Sequence, residues 1–216
     1  MGTITRNAAN NFTTGGVILP AAINDASVAS LTELENVAAG GAMNLISEQT
    51  ASASASISFT TGIDSTYPIY KFEFINMHPA NNTVSFAFNM STNGGSTYDV
   101  TKTSTHFYAY HNESDVDNVL SYAGGGDLAQ GTGDQYLATG IPNANDDSAS
   151  GDLFIFNPSS TTFVKHFISK SNGTYSQNNF CAGYGNTTSA VNAIIFRMSS
   201  GNIDSGTIKL YGISGS

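Results

Sequence analysis

The chain ends in the stretch SGNIDSGTIKLYGI, residues 200–213, which indicates its fold class more clearly than any other part of the sequence. Gly, Asn, Asp and Ser at the beginning of this stretch are turn formers. From Thr207 to Leu210 polar and apolar residues then alternate, as in a β-strand with one buried face. Short alternating segments of this kind continue back to Ala51, separated by Gly, Asn and Ser. They predict an all-β domain.

The segment from Ile69 to Met77 is the best candidate for a central strand. Its alternate residues give an aromatic face of Tyr70, Phe72 and Phe74. The residues between them give a second apolar face of Ile69, Ile75 and Met77. A strand that is apolar on both faces is typical of the interior of a protein. We therefore expect strands on both sides of this segment.

About ten strands follow one another with no helices between them, and antiparallel pairing is the natural arrangement for such a chain. The sequence predicts an antiparallel, jelly-roll-like β-sandwich. Besides 51–59, 69–77 and 83–90, the predicted strands are two short ones within 98–111 and one near each of 135–141, 153–156, 162–169, 179–184, 191–198 and 207–213. The predicted core residues are Phe72, Phe74, Phe86, Phe88, Ile195 and Leu210.

The connections between these strands carry two further predictions. Asn93, Gly94 and Gly95 tolerate positive φ, which predicts a hairpin turn between two strands. The surrounding motif from Ser91 to Tyr98 is similar to the Asp-box of sialidase-type propellers, with Asn in place of Asp, but it occurs once and is interpreted as a structural turn. Residues 112–133 are predicted to form one long loop.

The composition narrows the classes of function. The 216 residues are 40% apolar and 11% charged, with a formal net charge of −9. The seven Lys and Arg residues are scattered along the chain, whereas nucleic acids and anionic membranes require clustered positive charge. Neither is an expected partner. The one cysteine, Cys181, cannot form an internal disulfide and is interpreted as a buried apolar residue.

Residues 1–42 differ from the β domain, predicted to span 43–216. They read as an irregular arm followed by a short helix near 27–38, where Ser30 and Glu33 fit a capping box. Val17, Ile18, Leu19 and Pro20 form a short apolar peg, predicted to anchor the arm to a partner. The sequence shows neither a signal-peptide pattern nor 18 consecutive apolar residues, so neither secretion by a leader nor a membrane span is expected.

Candidate metal and catalytic residues are few. Asp115, Asp117, Asp146 and Asp147 lie in oxygen-rich loops and are weak candidates for a Ca²⁺ site. The alternative is an acidic, solvated rim. The sequence contains neither a G-x-S-x-G elbow nor a phosphate-binding glycine loop, and its histidines lack zinc-ligand spacing. We expect neither an enzyme nor a cofactor.

Tyrosines in or beside the predicted loops are the best candidates for a binding rim. Tyrosine combines an apolar ring with a polar hydroxyl, which suits protein interfaces and sugar stacking. The candidates are Tyr122, Tyr136 and Tyr175. The alternative is that these rings pack at the edges of the sandwich.

Four segments carry a resemblance to a known class of proteins: STNGGSTY at 91–98, FNPSSTT at 156–162, TTSAVN at 187–192 and GTIKLYGI at 206–213. Together they resemble structural proteins of tailed bacteriophages, especially marine ones, over roughly residues 43–213. The resemblance implies a virion component made in the host cytoplasm, of the tail-fibre or capsid-decoration type. It also implies a homo-oligomer, with a trimer favoured, and it brings no catalytic residues.

The sequence leaves three functions open. The first is a non-enzymatic virion protein held to other virion proteins by residues 1–42. The second is a carbohydrate-binding or receptor-binding module that recognises a host-surface glycan. The third is a glycan-degrading depolymerase, which no motif in the chain favours.

Overall fold

The computed structural model describes residues 43–173 and 176–214. These residues form twelve β-strands, and every pairing between them is antiparallel. The strands are β1 (Met43–Ser54), β2 (Ile57–Phe59), β3 (Ile69–Pro79), β4 (Val84–Ser91), β5 (Lys102–His111), β6 (Asn118–Tyr122), β7 (Gln135–Ile141), β8 (Ala149–Phe156), β9 (Lys165–Asn172), β10 (Asn178–Gly185), β11 (Ala193–Met198) and β12 (Ile203–Ile213).

The order of the strands identifies a jelly roll with two insertions. The larger sheet has eight strands in the order β1-β12-β3-β8-β9-β10-β5-β6, and the smaller sheet has four in the order β2-β11-β4-β7. Without β5, β6, β9 and β10, the two sheets are the two four-stranded halves of an eight-stranded jelly roll. The pairs β5–β6 and β9–β10 both extend the larger sheet. The predicted sandwich is confirmed, with twelve strands where the sequence predicts about ten.

The core lies between the smaller sheet and the strands of the larger sheet that it covers, including Phe167 of β9 and Cys181 of β10, and aromatic rings dominate it. Phe72 of β3 lies 5.2 Å from Phe196 of β11, and Phe74 lies 5.1 Å from Phe86 of β4, measured between ring centroids. All six core residues predicted from the sequence are buried. Five of them belong to the core between the sheets, whereas Ile195 lies on the opposite face of β11, where it pairs with Ser58 and Asn89.

A bulge in β3 changes the face of one predicted residue. The pairing of β3 with β8 shifts register between Phe74 and Met77, and Asn76 within this interval has a φ of 51°. The bulge turns Met77 into the core, whereas Ile75 remains 40% exposed on the other side of the sheet. The prediction that Met77 shares a face with Ile75 is therefore wrong, because one extra residue inverts the alternation.

The chain from β4 to β6 also differs from its prediction. β4 and β5 belong to different sheets, so the turn at Asn93 joins the two sheets and is not a hairpin. Ser91 Oγ accepts hydrogen bonds from the amides of Asn93 and Gly95, and Gly94 and Gly95 both have positive φ. Residues 102–111 form one strand rather than two, and the predicted loop at 112–133 contains β6.

Three predictions lie outside the described residues. These are the irregular arm, its apolar peg at Val17–Pro20 and the helix near 27–38.

Candidate functional site: an outer patch and two cavities

The outer surface of the eight-stranded sheet is unusually apolar. Strand alternation places one set of side chains in the core and the other set outward. We call the outward set the outer patch. Its apolar members are Met43, Leu45, Ile69, Ile75, Phe107, Leu120, Tyr122, Phe154, Phe156, Ile168, Phe180, Tyr184, Tyr211 and Ile213.

The strand register aligns these side chains into rows across the sheet. Phe107 of β5 pairs with Tyr122 of β6 on one side and with Phe180 of β10 on the other. The rings of Phe107 and Phe180 are stacked with centroids 5.0 Å apart. Ile168 of β9 pairs with Phe154 of β8 and is 52% exposed at the centre of the sheet. The apolar side chains therefore adjoin one another.

The charged side chains of the outer patch balance each other. Lys71 lies 2.6 Å from Glu73, and Lys209 lies 3.3 Å from Glu48. Lys170 lies over the ring of Phe180 and pairs across strands with Asp152. Three lysines thus face three carboxylates. Residues 43–214 contain six Lys and Arg against thirteen Asp and Glu, a formal charge of −7, so the excess of negative charge lies outside the patch.

Tyr122 and Tyr136, two of the predicted rim residues, lie on different sheets. Tyr122 belongs to the outer patch, is 56% exposed and donates a hydrogen bond from its hydroxyl to Asp127 at 2.6 Å. Tyr136 is half-buried in β7, the edge strand of the smaller sheet. Tyr175 lies outside the described residues. Tyr122 and Tyr136 therefore do not share one sheet surface.

The inner side of β5 carries polar side chains where β3 carries phenylalanines. Ser104 donates a hydrogen bond to Gln135 Oε1 at 2.5 Å, and Gln135 Nε2 donates to the carbonyl of Gly126 at 2.7 Å. The His106 ring contacts Asn179 Oδ1 at 3.3 Å. The loop between β6 and β7 covers this network and buries it.

The network contains His106, and burial disfavours the ionised form of its ring. Desolvation lowers the pKa of His106, and its contact with Asn179 opposes this shift only in part. Among the described residues, His106 Nδ1 and Asn179 Nδ2 have no hydrogen-bond partner. The ring is therefore favoured in its neutral form.

Beyond this network the inner side of β5 opens into a cavity of about 460 Å³, lined by Tyr110, Asn112, Asp117, Gly140 and Gln177. Tyr110 stacks on Tyr108 with ring centroids 6.1 Å apart. Asn112 binds the connection between β5 and β6 together, because its Oδ1 accepts the amides of Val116 and Asp117. Sequence reasoning missed this cavity.

A second cavity, of about 470 Å³, brings together the predicted residues Asp146 and Asp147 with Asp204, His78 and Asn76. Within the described part of the chain, no group of three or more His, Cys, Asp or Glu residues has the arrangement of a metal site. Asp115 instead contacts His111 at 2.8 Å, and Asp117 accepts a hydrogen bond from Asn112 at 2.9 Å. A Ca²⁺ site at these four aspartates stays a prediction.

Two buried lysines are structural features that the sequence did not reveal. Lys102 Nζ donates to Asn89 Oδ1 at 2.6 Å and to the carbonyl of Val100 at 2.7 Å, and burial lowers the pKa of Lys102 to about 8. Lys165 donates to two carbonyl oxygens, including that of Phe163 at 2.6 Å. Lys102 thus binds one side-chain oxygen and one backbone oxygen inside the fold, and Lys165 binds two backbone oxygens.

The surroundings of Cys181 make its thiol a poor nucleophile. Cys181 is buried in β10, and desolvation raises the pKa of its thiol to about 12. A thiol in such an environment stays protonated at neutral pH and is a poor nucleophile.

Comparison of the chain with protein families, with curated proteins and with solved structures finds no match. Within residues 43–173 and 176–214, no helix has both the length and the apolar character that crossing a lipid bilayer requires.

Proposed function

We propose that this chain is a non-enzymatic structural protein that assembles with copies of itself through the outer patch. In this proposal the assembly is a component of a tailed-phage virion, a tail fibre or a capsid decoration, as the sequence resemblance implies. Residues 1–42 anchor it to another virion protein. The observation that carries the proposal is the contiguous, electrically balanced apolar surface on one face of an otherwise acidic domain.

The size of the outer patch supports a stable interface. Eight strands spaced about 4.8 Å apart, with four rows of outward side chains about 6.8 Å apart along the strands, cover about 1,000 Å². A specific protein interface buries about 800 Å² on each partner. Exposed apolar patches of more than a few hundred Å² mark interaction sites in soluble proteins. The patch is therefore large enough to hold two subunits together.

The charges of the patch favour a second copy as the occupant. Two domains of formal charge −7 repel each other on most approaches, and this repulsion disfavours contact through their acidic surfaces. The outer patch has no net charge, so contact through it avoids the repulsion. Its three lysines and three carboxylates lie on neighbouring strands, so charges of opposite sign on two identical surfaces can be brought opposite each other. Contact between two copies of the same patch closes as a two-fold dimer. Assembly through the outer patch alone therefore predicts a dimer, and the trimer implied by the resemblance would need a second contact surface.

Analytical ultracentrifugation of the full chain tests the assembly. We expect an oligomer that Ile168→Asp converts to monomer, because this change places a charge at the centre of the buried surface. Phe163→Asp is the matched control, because Phe163 is 68% exposed in a connection outside the sheet. A monomeric wild-type chain at all concentrations would overturn the proposal, as would an Ile168→Asp variant that remains oligomeric.

The virion location has a separate test. Purified phage particles should contain the full chain, and a variant lacking residues 1–24 should fold but be absent from particles. Normal incorporation of the shortened chain would refute the anchoring role of the arm while leaving self-assembly through the outer patch unaffected.

The cavity at Tyr110 favours a second candidate function, the binding of a host-surface glycan. This function does not exclude assembly, because Tyr110 faces the inner side of β5 whereas the outer patch faces away from it.

A further inference from the structure

We propose that the cavity at Tyr110 binds a neutral saccharide. The inference is independent of self-assembly, because it rests on residues that do not belong to the outer patch. It rests on the second candidate function, to which it adds a site that the sequence did not predict and a preference for neutral over acidic sugars.

The cavity exists because the two sheets differ in width. The smaller sheet ends at β7, which lies over β9 and β10, whereas the larger sheet continues to β5 and β6. At the far end of β7, Gly140 is exposed and has a φ of 69°. The inner side of β5 at Tyr110 is therefore left without a covering strand. A cavity of about 460 Å³ falls within the range of small-molecule sites.

The polar groups around the cavity are held in place by the protein. Gln177 Nε2 donates to Thr139 Oγ1 and to Asn179 Oδ1, both at 2.9 Å, which fixes the orientation of its amide. Asn112 Nδ2 donates to Asp117 Oδ2 at 2.9 Å, which fixes one carboxylate oxygen. A ligand would meet these groups already ordered, and such preorganisation lowers the entropic cost of binding.

Three atoms retain hydrogen-bonding capacity toward a ligand. Among the described residues, Gln177 Oε1, Asp117 Oδ1 and the Tyr110 hydroxyl have no partner. Two of them are acceptors only, and the hydroxyl can both donate and accept. A ligand with several hydroxyl donors satisfies this set. The ring of Tyr110, supported by Tyr108, offers an apolar surface against which the C–H face of a sugar ring can pack.

The local charge selects a neutral ligand over an acidic one. Asp117 lines the cavity, and the lining residues that the structure describes include neither Lys nor Arg. An anionic sugar, such as one bearing a carboxylate or a sulfate, would meet uncompensated negative charge. The expected ligand is therefore a neutral oligosaccharide.

Binding can be tested with the full chain on an array of neutral and acidic oligosaccharides, followed by calorimetry with the neutral glycan that binds best. We expect binding that weakens at least about tenfold in Tyr110→Ala and in Gln177→Ala, a loss of about 1.4 kcal/mol. Tyr110→Phe should lose less, because it removes the hydroxyl and keeps the ring. Asn118→Ala is the matched control, since Asn118 lies beside Asp117 but points to the outer side of the sheet.

The result can fail in three ways, each of which overturns the inference. The first is the absence of a saturation-transfer NMR signal when neutral oligosaccharides at millimolar concentration are mixed with the wild-type chain. The second is binding of acidic glycans in preference to neutral ones. The third is binding that persists in Tyr110→Ala and Gln177→Ala, both shown to be folded by circular dichroism, which would place the ligand elsewhere. None of these outcomes alters the ultracentrifugation test of self-assembly.

Discussion

The inner faces of β3 and β5 belong to the same sheet, yet they carry opposite kinds of side chain. β3 places Tyr70, Phe72 and Phe74 inward, and the phenylalanines pack against rings from the smaller sheet. β5 places Lys102, Ser104, His106, Tyr108 and Tyr110 inward. The loop between β6 and β7 and the edge of β7 cover the beginning of β5 and leave Tyr110 uncovered. The covering layer, and not the sheet itself, decides which residues each strand requires.

The difference follows from the unequal width of the two sheets. A four-stranded sheet cannot cover an eight-stranded one. Because the smaller sheet ends at β7, which lies over β9 and β10, the inserted pair β5–β6 needs another cover. A connecting loop brings backbone amides and carbonyls, which need hydrogen-bond partners when they are buried. Ser104 and Gln135 supply those partners. Apolar packing therefore stabilises the part of the larger sheet that the smaller sheet covers, and a polar network stabilises β5.

The largest effect should come from the core of β3. Phe74→Ala removes a fully buried ring that contacts Phe86, and we expect it to lower the free energy of unfolding by about 3–5 kcal/mol. Urea denaturation followed by circular dichroism measures this loss. Ile75→Ala is the neighbouring control, because Ile75 lies on the outer side of the same strand. A loss below about 1 kcal/mol in Phe74→Ala would show that the inner face of β3 is assigned wrongly.

An intermediate effect should come from the polar network under β5. Gln135→Ala leaves the carbonyl of Gly126 without one of its donors and the Ser104 hydroxyl without its acceptor. Such a loss costs about 1–3 kcal/mol when the abandoned groups stay buried. The same urea experiment measures it, with Gln130→Ala as a control, because Gln130 bonds to Thr103 and Asn186 at an exposed site. Equal stability of the wild type and Gln135→Ala would mean that the network is not needed to close the loop over β5.

The contrast between β3 and β5 also separates what the sequence predicted from what it could not. Alternation identified β3, β4 and β12 and the five predicted core residues that they carry, because each of these strands has one face against the other sheet. Alternation cannot locate a bulge, so Met77 was assigned to the wrong face. In β5 the polar inner residues look like solvent-facing ones until the covering loop is known.

The candidate site was hidden for a related reason. Tyr110 and Gln177 are far apart in the sequence, and only the pairing of β5 with β10 brings them to one cavity. The burial of Lys102 likewise depends on Asn89 in the other sheet. The outer patch is built from eight strands. Of these, β3 was the one interpreted as apolar on both faces, and this pattern indicated a central strand and not an interface. Register and sheet order are long-range properties that a local pattern does not contain.

The smallest expected effect concerns pH and belongs to β5 alone. Burial lowers the pKa of His106 below its ordinary value of 6.5, so the unfolded chain takes up a proton at a higher pH than the folded one. The free energy of unfolding is therefore unaffected by His106 above the pKa that this histidine has in the unfolded chain, about 6.5. It decreases as the pH falls from there toward the pKa of His106 in the folded chain. His106→Gln cannot titrate, so its stability should fall less than that of the wild type over this interval.

Urea denaturation at closely spaced pH values between 8 and 5 measures the difference between the two chains, and the other titrating groups cancel because both chains contain them. The groups near His106 are Asp127, whose charge opposes the lowered pKa, and the neutral Asn179. His166→Gln is the control, since His166 lies on the exposed side of β9. If the wild type and His106→Gln lose stability in parallel as the pH falls, water reaches the inner side of β5 beneath the loop between β6 and β7. This loop would then exclude water less well than the aromatic rings that cover β3.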